Sequence, residues 1–522
     1  MNFHDLLAAA SPLFDHVPDT RTSEIYLALQ ASDIREAGAY LRSSGCRHVS
    51  VFAEDRLAED SCYYIYYVFE LPSDPRYLLL RTAIHPSQPA FLSLAAEVPA
   101  LNWQEREIQD WFGLEATGHP NPRRVALHDN WPDVHPLLKT FSIDTVLPPF
   151  EGEQHVFRPT LGEGVFQIPV GPVHAGIIEP GHFNFAVAGE PILYLQLRMF
   201  YAHKGIEKRF EQLPLASAVF LAESVSGDSS FSHCTAFCQA IERIAAIEIP
   251  ETASWMRTIL LELERLYAHT SDIGAIATDV GFGIASAHAS RLREFLMGIG
   301  EQLTGSRLLR SMACPGGVRR SWSHDQLNKA LQHLAHFAPD FERLIDIIEA
   351  SDSTRDRLER TGTLYPEKAR ALGIVGVGGR ASGHDLDVRR DHPYAAYNSL
   401  TVPIPLYKEG DVLHRMQVRI DEVRHSLNLI REAASRLEFL AHRATMPPLP
   451  DNQFALGVVE GWRGEILYWV RTAPDNRIAR CKIKDPSLNN WPALVEAMQS
   501  NIIPDFPVIN KSFNLSYSGT DR

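Results

Sequence analysis

Residues 226–229 form a short polar motif, which we call the clip. They read Ser-Gly-Asp-Ser, so two hydroxyls stand where a Cys-x-x-Cys motif would place two thiolates. Thiolates at that spacing bind soft transition metals, whereas a serine hydroxyl stays protonated near neutral pH and is a poor ligand. The stretch is therefore either a metal site that has lost its ligands or a polar loop that leads into a helix.

The cysteines do not offer a replacement set of ligands. Six are present, at positions 46, 62, 234, 238, 314 and 481, and no pair has Cys-x-x-Cys spacing. Cys234 and Cys238 are one helical turn apart, which is better explained by core packing than by metal binding. Cysteines this few and irregular argue against a disulfide framework and favour a reducing compartment.

Composition is that of a globular chain with more than one domain. The 522 residues are 45% hydrophobic and carry a net charge of −14, which argues against nucleic acid as the main partner. Segment 1–19 lacks the basic start of a signal peptide, and no apolar run reaches the ~18–20 residues that span a bilayer. We expect a chain that is soluble by itself and that other subunits would hold at any membrane.

The elements that must position the clip fall into two sets, and the first occupies a predicted domain at 1–144. Apolar patterning predicts a helix over 31–45, strands over 48–55, 62–71 and 77–84, and a short helix over 102–113. The turn-rich pentapeptide at 72–76 predicts that the last two strands form an antiparallel hairpin. This part is predicted to be a small α+β domain.

A segment rich in Pro, Gly and charge at 145–165 is predicted to be a linker to a second domain, 166–522. Strand-like pieces at 166–178 and 182–189 open that domain. Long amphipathic patterns then predict helices over 251–281, 321–351 and 410–440. The predicted fold class is α+β, with the second domain mainly helical and holding a small β portion.

Two runs in the first part carry a family resemblance. Residues 102–114 read NWQEREIQDWFGL and residues 118–124 read GHPNPRR, followed by Trp131 and by PLLK at 136–139. Together they resemble the signature of the C-type peripheral subunit of respiratory complex I.

The second part resembles the D-type subunit of complex I and the large subunit of membrane-bound [NiFe] hydrogenases. The matching motifs are GPVH at 171–174, EPGHF at 179–183, HKGIEK at 203–208, PGGV at 315–318, RASG at 380–383, DVRRDHPY at 387–394, GWRGE at 461–465 and RCKI at 480–483. With both parts in one chain, the sequence is similar to the fused large subunits of formate hydrogenlyase-type complexes from about residue 20 onward.

The resemblance implies that the clip is a metal site without its metal. In the hydrogenases, two Cys-x-x-Cys pairs hold nickel and iron, and they correspond here to Ser226 with Ser229 and to Ser516 with Gly519. All four thiolates are absent, so we expect no nickel–iron centre, no metal bound by this chain and no hydrogenase activity. We call these four residues the ligand positions.

The resemblance also bears on quinone. In complex I a tyrosine and a second histidine bind the quinone head group, and they correspond here to Gly227 and Ile178, so only His174 remains. Binding in the complex I manner is not expected, although a quinone can bind in another way.

The polar residues that remain are candidates for proton or redox coupling, namely His174, Glu179 and Asp228. A buried carboxylate can titrate near neutral pH and relay protons. The alternative is that Glu179 and Asp228 cap helix ends or hydrogen-bond a loop, and that His174 is structural.

His203 and Lys204 resemble the family's His-Arg-Gly motif, whose arginine lies beside the terminal iron–sulfur cluster of a neighbouring subunit. A lysine keeps the positive charge that raises a cluster's potential but lacks the planar fork of arginine. The alternative is an exposed cation at a helix end.

We therefore expect a subunit of a membrane-associated, complex I-related oxidoreductase on the cytoplasmic face of the inner membrane. It would dock an iron–sulfur subunit holding a [4Fe–4S] cluster and couple electron or proton transfer to membrane ion-translocating subunits. The alternative is a scaffold that performs no redox reaction, whose pocket binds a small anion or hydrated CO2. The glycines at 376–379 lack the strand and helix of a dinucleotide loop, which argues against NAD binding.

Overall fold

The fold was analysed in a computed structural model, which describes residues 19–21, 23–72, 74–159 and 161–522. The signal-peptide expectation lies outside the described residues, except for Asp19. Ser73 of the predicted turn and Thr160 of the predicted linker also lie outside them. The described residues between 145 and 164 form no helix or strand, and the predicted domain boundaries stay a prediction.

Five strands near the N-terminus form one sheet in the order β1-β2-β5-β4-β3. Only β2 and β5 run parallel; the other neighbours are antiparallel, which confirms the predicted hairpin as β4 and β5. The bounds are β1 Asp19–Thr20, β2 Glu24–Leu29, α1 Ile34–Ser43, β3 Arg47–Arg56, α2 Leu57–Asp60, β4 Cys62–Leu71, β5 Asp74–Ile84, β6 Ala90–Leu92, α3 Asn102–Phe112 and β7 Glu115–Thr117.

The two predicted helices of this part are confirmed as α1 and α3. Helix α1 buries Ile34, Ala37 and Leu41 on one stripe. Gly113 follows α3 with φ +70, a left-handed conformation that ends a helix at little cost only for glycine.

The second part is mainly helical, as predicted, with small sheets. Its elements are β8 Val165–Val170, β9 His182–Ala188, β10 Ile192–Arg198, α4 Ile206–Phe210, α5 Leu215–Ala222, α6 Ser230–Ile244, α7 Glu251–Asp279, α8 Gly283–Thr304, β11 Ala313–Cys314, β12 Gly317–Val318, α9 His324–Glu349, α10 Asp352–Leu358, α11 Pro366–Ala371, α12 Gly376–Ala381, α13 Val388–Asp391, α14 Val412–Arg436, β13 Phe454–Gly461, β14 Gly464–Ala473, β15 Arg477–Lys484, α15 Pro486–Ala497, α16 Phe506–Phe513 and α17 Tyr517–Asp521. Strands β8–β10 and β13–β15 form two antiparallel three-stranded sheets.

The three long predicted helices are confirmed as α7, α9 and α14. Helix α9 begins with a capping box, in which the Ser323 hydroxyl accepts from the Gln326 N–H and the Gln326 side chain accepts from the Ser323 N–H. Helix α14 is capped by Asp411, whose carboxylate accepts from the His414 N–H at 2.9 Å. Helix α7 lies at the centre of the helical part, since most of its residues are buried.

The two parts share one core. The Trp469 ring of β14 packs against Phe52 and Tyr66 of the N-terminal sheet, with centroid distances of 5.1 and 5.0 Å. Buried ion pairs cross the same boundary: Arg47 meets Glu465 at 2.6 Å, and Lys482 meets Glu107 at 3.0 Å. The N-terminal part therefore supports the strands that carry the candidate site.

Glu107→Ala tests how much the buried ion pairs at this boundary contribute to the free energy of unfolding. The change removes the carboxylate that both Lys482 and Arg522 contact in the interior. We expect the free energy of unfolding to fall by about 3 kcal/mol, because an uncompensated buried charge is costly. Chemical denaturation measures the change. Glu97→Ala, which removes a half-exposed pair with Arg35, is the control and should cost under about 1 kcal/mol; equal losses in both variants would contradict the expectation.

Candidate functional site

Five of the residues predicted from sequence line one cleft of about 650 Å3: His174, Glu179, Ser226, Asp228 and Ser516. The cleft lies between the loop before β9, the loop before α6, helix α7, the β13–β14 turn and the C-terminal residues from 506 onward. Ser229 and Gly519 do not line it but are buried next to Asp228 and Ser516. Segments far apart in the sequence therefore meet at one place.

Asp228 forms an ion pair with Arg463 of the β13–β14 turn. Two guanidinium nitrogens of Arg463 donate to the two carboxylate oxygens at 2.8 and 2.7 Å, and the guanidinium lies 3.8 Å from the Trp462 ring centre. Desolvation raises the pKa of Asp228, but the Arg463 charge and the hydrogen bonds from Arg463 and Ser226 together bring the pKa down to about 2. Asp228 therefore stays ionised at neutral pH.

The hydroxyls at the ligand positions bind protein groups. Ser226 Oγ donates to Asp228 Oδ1 at 2.8 Å and lies 2.8 Å from Ser516 Oγ. Ser516 Oγ also accepts from the Gly519 N–H at 2.9 Å, which caps α17. Ser229 Oγ accepts from Arg463 at 3.3 Å. A short hydrogen-bonded chain thus joins the two pairs of ligand positions.

A carboxylate that the sequence analysis did not identify occupies the space beside the last ligand position. A Cβ atom at Gly519 would lie 2.5 Å from Asp485 Oδ2, so no larger residue fits there without movement. His233 Nε2 donates to the same oxygen at 3.0 Å, and the Tyr468 hydroxyl lies 3.0 Å from His233 Nδ1. Burial raises the pKa of Asp485, but the hydrogen bond and charge of His233, together with the Arg463 charge and a hydrogen bond from Ser487, hold the pKa below its usual value.

These residues do not fit a nickel–iron centre. The ligand positions hold no thiolate, and Asp485 fills the volume that a side chain at 519 would need. Across residues 19–21, 23–72, 74–159 and 161–522, no three His, Cys, Asp or Glu side chains are grouped to hold a metal ion. Cys234 and Cys238 are fully buried within α6.

Helix α6 begins directly after residues 226–229, which we call the ligand loop, and is held by Glu264 of α7. The Glu264 carboxylate accepts from the N–H groups of Phe231 and Ser232 at 2.8 and 3.1 Å. The N-terminal end of a helix stabilises a negative charge placed there. Burial raises the pKa of Glu264 to about 7. The cap fixes the start of α6 and therefore the position of residues 226–229.

His174 and Glu179 lie at the mouth of the cleft and bind backbone groups. His174 Nε2 lies 2.8 Å from the Gly181 carbonyl oxygen, and Glu179 accepts from the Ser518 N–H at 2.9 Å. Both side chains are partly exposed, so Glu179 is not the buried carboxylate expected from the sequence. The loop between them exposes Ile177 completely.

His203 and Lys204 do not line the cleft. Lys204 Nζ donates to the carbonyl oxygens of Ser224 and Val225 at 2.9 and 3.0 Å, just before the ligand loop. His203 stacks on Trp111 at 4.9 Å between ring centres. Lys204 borders a groove of about 440 Å3, which Arg209 and Phe220 also line. We call this the Lys204 groove.

Comparisons with known proteins agree with this arrangement. The family described as respiratory-chain NADH dehydrogenase, 30 Kd subunit, matches residues 27–146, and the 49 Kd subunit family matches 279–456 and 438–522. Formate hydrogenlyase subunit 5 of Escherichia coli is 33% identical over 493 residues, which is 92% of this chain and 86% of that protein. Hydrogenase-4 component G of the same organism is 32% identical over 481 residues, covering 90% and 83%.

Two further matches lie outside the hydrogenases. The C/D-type subunit of the NADH-quinone oxidoreductase of Phocaeicola vulgatus is 28% identical over 418 residues, covering 76% of this chain and 79% of that protein. A chain in the structure of the membrane-bound sulfane sulfur reductase, an archaeal respiratory membrane complex, superposes with a TM-score of 0.65 at 25% identity. It covers 70% of this chain and 100% of that one.

The fold and these matches define a class of complex I-like oxidoreductase subunits. This chain belongs to the family in which a 30 kDa-type and a 49 kDa-type complex I part are fused, together with formate hydrogenlyase subunit 5 and hydrogenase-4 component G. The resemblance inferred from the motifs is therefore confirmed, as is the α+β fold class.

Gly519→Ala tests whether Asp485 occupies the last ligand position. The added methyl would collide with the Asp485 carboxylate, so we expect thermal unfolding to show a loss of about 1–3 kcal/mol. Asp485→Ala removes the obstacle, and the double variant should lose less stability than the sum of the single variants. Gly298→Ala, whose added methyl meets nothing within 4 Å in α8, is the control. Strict additivity would contradict the collision.

Proposed function

We propose that this chain is the peripheral subunit of a membrane-associated complex that couples electron or proton transfer to ion translocation without a nickel–iron centre of its own. The observation that carries the proposal is the cleft, where a paired and hydrogen-bonded polar set stands at the ligand positions. Membership of the complex I-like family supports the oxidoreductase role. The likeness to a chain of an archaeal respiratory membrane complex supports association with a membrane.

Within the described residues no helix is both long and apolar enough to cross a bilayer. In our proposal partner subunits supply the contact with the membrane, and the chain lies on the cytoplasmic face of the inner membrane.

In this proposal the carboxylates of the cleft have two roles, to hold a fixed charge and to exchange protons. Asp228, with a pKa of about 2, is a fixed anion that holds Arg463 in place and does not carry protons at neutral pH. Glu179 differs, because it accepts a hydrogen bond from the Ser518 N–H and not from a guanidinium. A carboxylate with free acceptor positions facing a cleft can gain and release a proton. Glu179 is therefore our candidate for proton exchange, with His174 beside it.

The iron–sulfur partner would dock on the Lys204 groove. The groove combines the exposed Phe220 ring with the Lys204 and Arg209 cations, a mixture typical of protein interfaces. Lys204 donates hydrogen bonds to the two residues that precede the ligand loop. A partner bound on the groove would therefore affect the position of that loop in the cleft. A positive charge near a [4Fe–4S] cluster raises its reduction potential.

A quinone is a candidate ligand, because the relatives include subunits of NADH-quinone oxidoreductases. Gly227 and Ile178 replace the tyrosine and the histidine of the complex I pattern, so a quinone would need other contacts in the cleft.

Phe220→Asp tests the docking surface. A charge in the centre of the groove should prevent burial of this surface, and we expect the iron–sulfur subunit to be lost when the complex is purified through a tag on this chain. Phe295→Asp places the same change on a similarly exposed ring of α8 and should leave the complex intact. Loss of the subunit in both variants would point to unfolding, and retention in both would contradict the proposed surface.

Glu179→Gln tests the coupling role in the assembled complex. The amide cannot exchange a proton, so we expect ion translocation to fall on the order of 100-fold while assembly is unchanged. Glu367→Gln, at an exposed site on α11, is the control and should have no effect. Translocation at the normal rate in Glu179→Gln would favour a scaffold without a coupling role.

Metal analysis of the same purified complex tests the other half of the proposal. We expect no nickel in stoichiometric amount, because no thiolate stands at the ligand positions. One nickel per complex would contradict a subunit without its own nickel–iron centre.

A further inference from the structure

Tyr267 of α7 presents an unpartnered hydroxyl to the cleft. The residue is 2% exposed and lines the cleft, and within the described part of the chain its Oη atom has no hydrogen-bond partner. Buried hydroxyls in folded proteins are nearly always hydrogen-bonded, so an orphan facing a cavity indicates a missing water or ligand.

Two arginines are close enough to Tyr267 for their charges to act on it. Arg293 of α8 lines the cleft, and Arg310 lies on the loop that follows α8. Burial raises the pKa of Tyr267 well above its usual value, and Glu264 and Asp228 add to this, while Arg293 and Arg310 act in the opposite direction. Within the described ranges neither guanidinium forms an ion pair, in contrast to Arg307, which pairs with Glu294.

The backbone holds Arg310 against the ligand loop. A Cβ atom at Gly227 would lie 3.2 Å from Arg310 Nη2, so glycine leaves room for the guanidinium. Leu309 and Ser311, on either side of Arg310, have φ values of +57 and +62. The left-handed region is unfavourable for leucine. The Ser311 N–H donates to Glu223 at 2.6 Å and fixes this turn.

The carboxylates around these three donors already have partners. Asp228 binds Arg463, Glu223 accepts from the Ser311 N–H, and Glu264 caps α6. In the described part of the chain neither Arg293 nor Arg310 forms an ion pair with these carboxylates, although the charges of Arg310 and Glu223 interact at longer range. Together with the Tyr267 hydroxyl the two arginines form a set of donors that can bind acceptor groups but contains no acceptor side chain except the phenol oxygen itself.

We propose that Tyr267, Arg293 and Arg310 form a binding site for a small planar oxyanion of the formate or hydrogencarbonate type at the Gly227 end of the cleft. The planar fork of a guanidinium matches two oxygens of such an anion. Tyr267 supplies a further hydrogen bond, and the anion gives its hydroxyl a partner. The site rests on these three side chains and not on the proposed coupling role.

The test is a titration of the purified full-length chain. Thermal unfolding is followed with sodium formate, with sodium hydrogencarbonate and with sodium chloride at constant ionic strength and pH. We expect a saturable rise in Tm with at least one planar oxyanion and none with chloride, because only a ligand that prefers the folded state stabilises it. The formate and hydrogencarbonate arms identify which anion the site prefers. Equal effects of all three salts would overturn the proposal.

Substitutions of the three residues test where the anion binds. Arg293→Ala and Arg310→Ala should each weaken the anion at least about tenfold, and Tyr267→Phe about fivefold, as expected for charged and neutral hydrogen bonds. Arg291→Ala on the same helix and Arg307→Ala on the same loop are matched controls, since both side chains pair with surface carboxylates. They should bind the anion normally.

Unchanged affinity in Tyr267→Phe and in both arginine variants would overturn the assignment. Tyr267→Phe removes one oxygen atom and keeps the test valid if an arginine variant does not fold. Binding to the isolated chain does not depend on redox partners, so a failure of the coupling role in the assembled complex would be seen separately.

Discussion

The ion pair between Asp228 and Arg463 is the interaction on which the site depends. Asp228 belongs to the loop before α6, and Arg463 belongs to the turn between β13 and β14, 235 residues later. Arg463 also donates through Nε to the Asn514 carbonyl oxygen at 2.5 Å, and Ser226 contacts Ser516. The loop, the turn and the C-terminal segment are thus tied together by hydrogen bonds at the place where the resemblance puts a metal.

A charge can be buried in that place at little cost only when it is paired and its remaining hydrogen bonds are made. Removing Asp228 would leave the buried Arg463 guanidinium uncompensated, whereas the intact pair costs little when its remaining hydrogen bonds are made. Arg463 satisfies this condition, because its three donor nitrogens all have acceptors. The same rule applies at the boundary between the two parts, where Lys482 and Arg522 both contact Glu107 in the interior. Charge pairing, and not apolar packing alone, fixes how the cleft is assembled.

Part of this could be predicted from the sequence. The long helices follow from apolar periodicity, and the ligand positions follow from motif flanks, so both are local signals. Asp485 could not be found in this way, because its contact with Gly519 depends on the packing of α15 against α17. Tyr267 looks like one more apolar residue on the α7 stripe, and only the tertiary structure shows its hydroxyl at the cleft. Arg463 lies in a recognised motif, but its partner, Asp228, is set by tertiary structure.

The partly exposed Glu179 shows why the missing information matters for mechanism. Asp228 is half exposed, and its charge is fixed over the physiological pH range by its pair with Arg463. Glu179 accepts from the Ser518 N–H, and in our proposal it is the group that exchanges protons. The sequence presents both as acidic residues next to polar neighbours. They differ in their partners, a guanidinium for Asp228 and a backbone N–H for Glu179. In our proposal the position of Arg463 therefore decides which carboxylate is held as a structural charge and which is left for transfer.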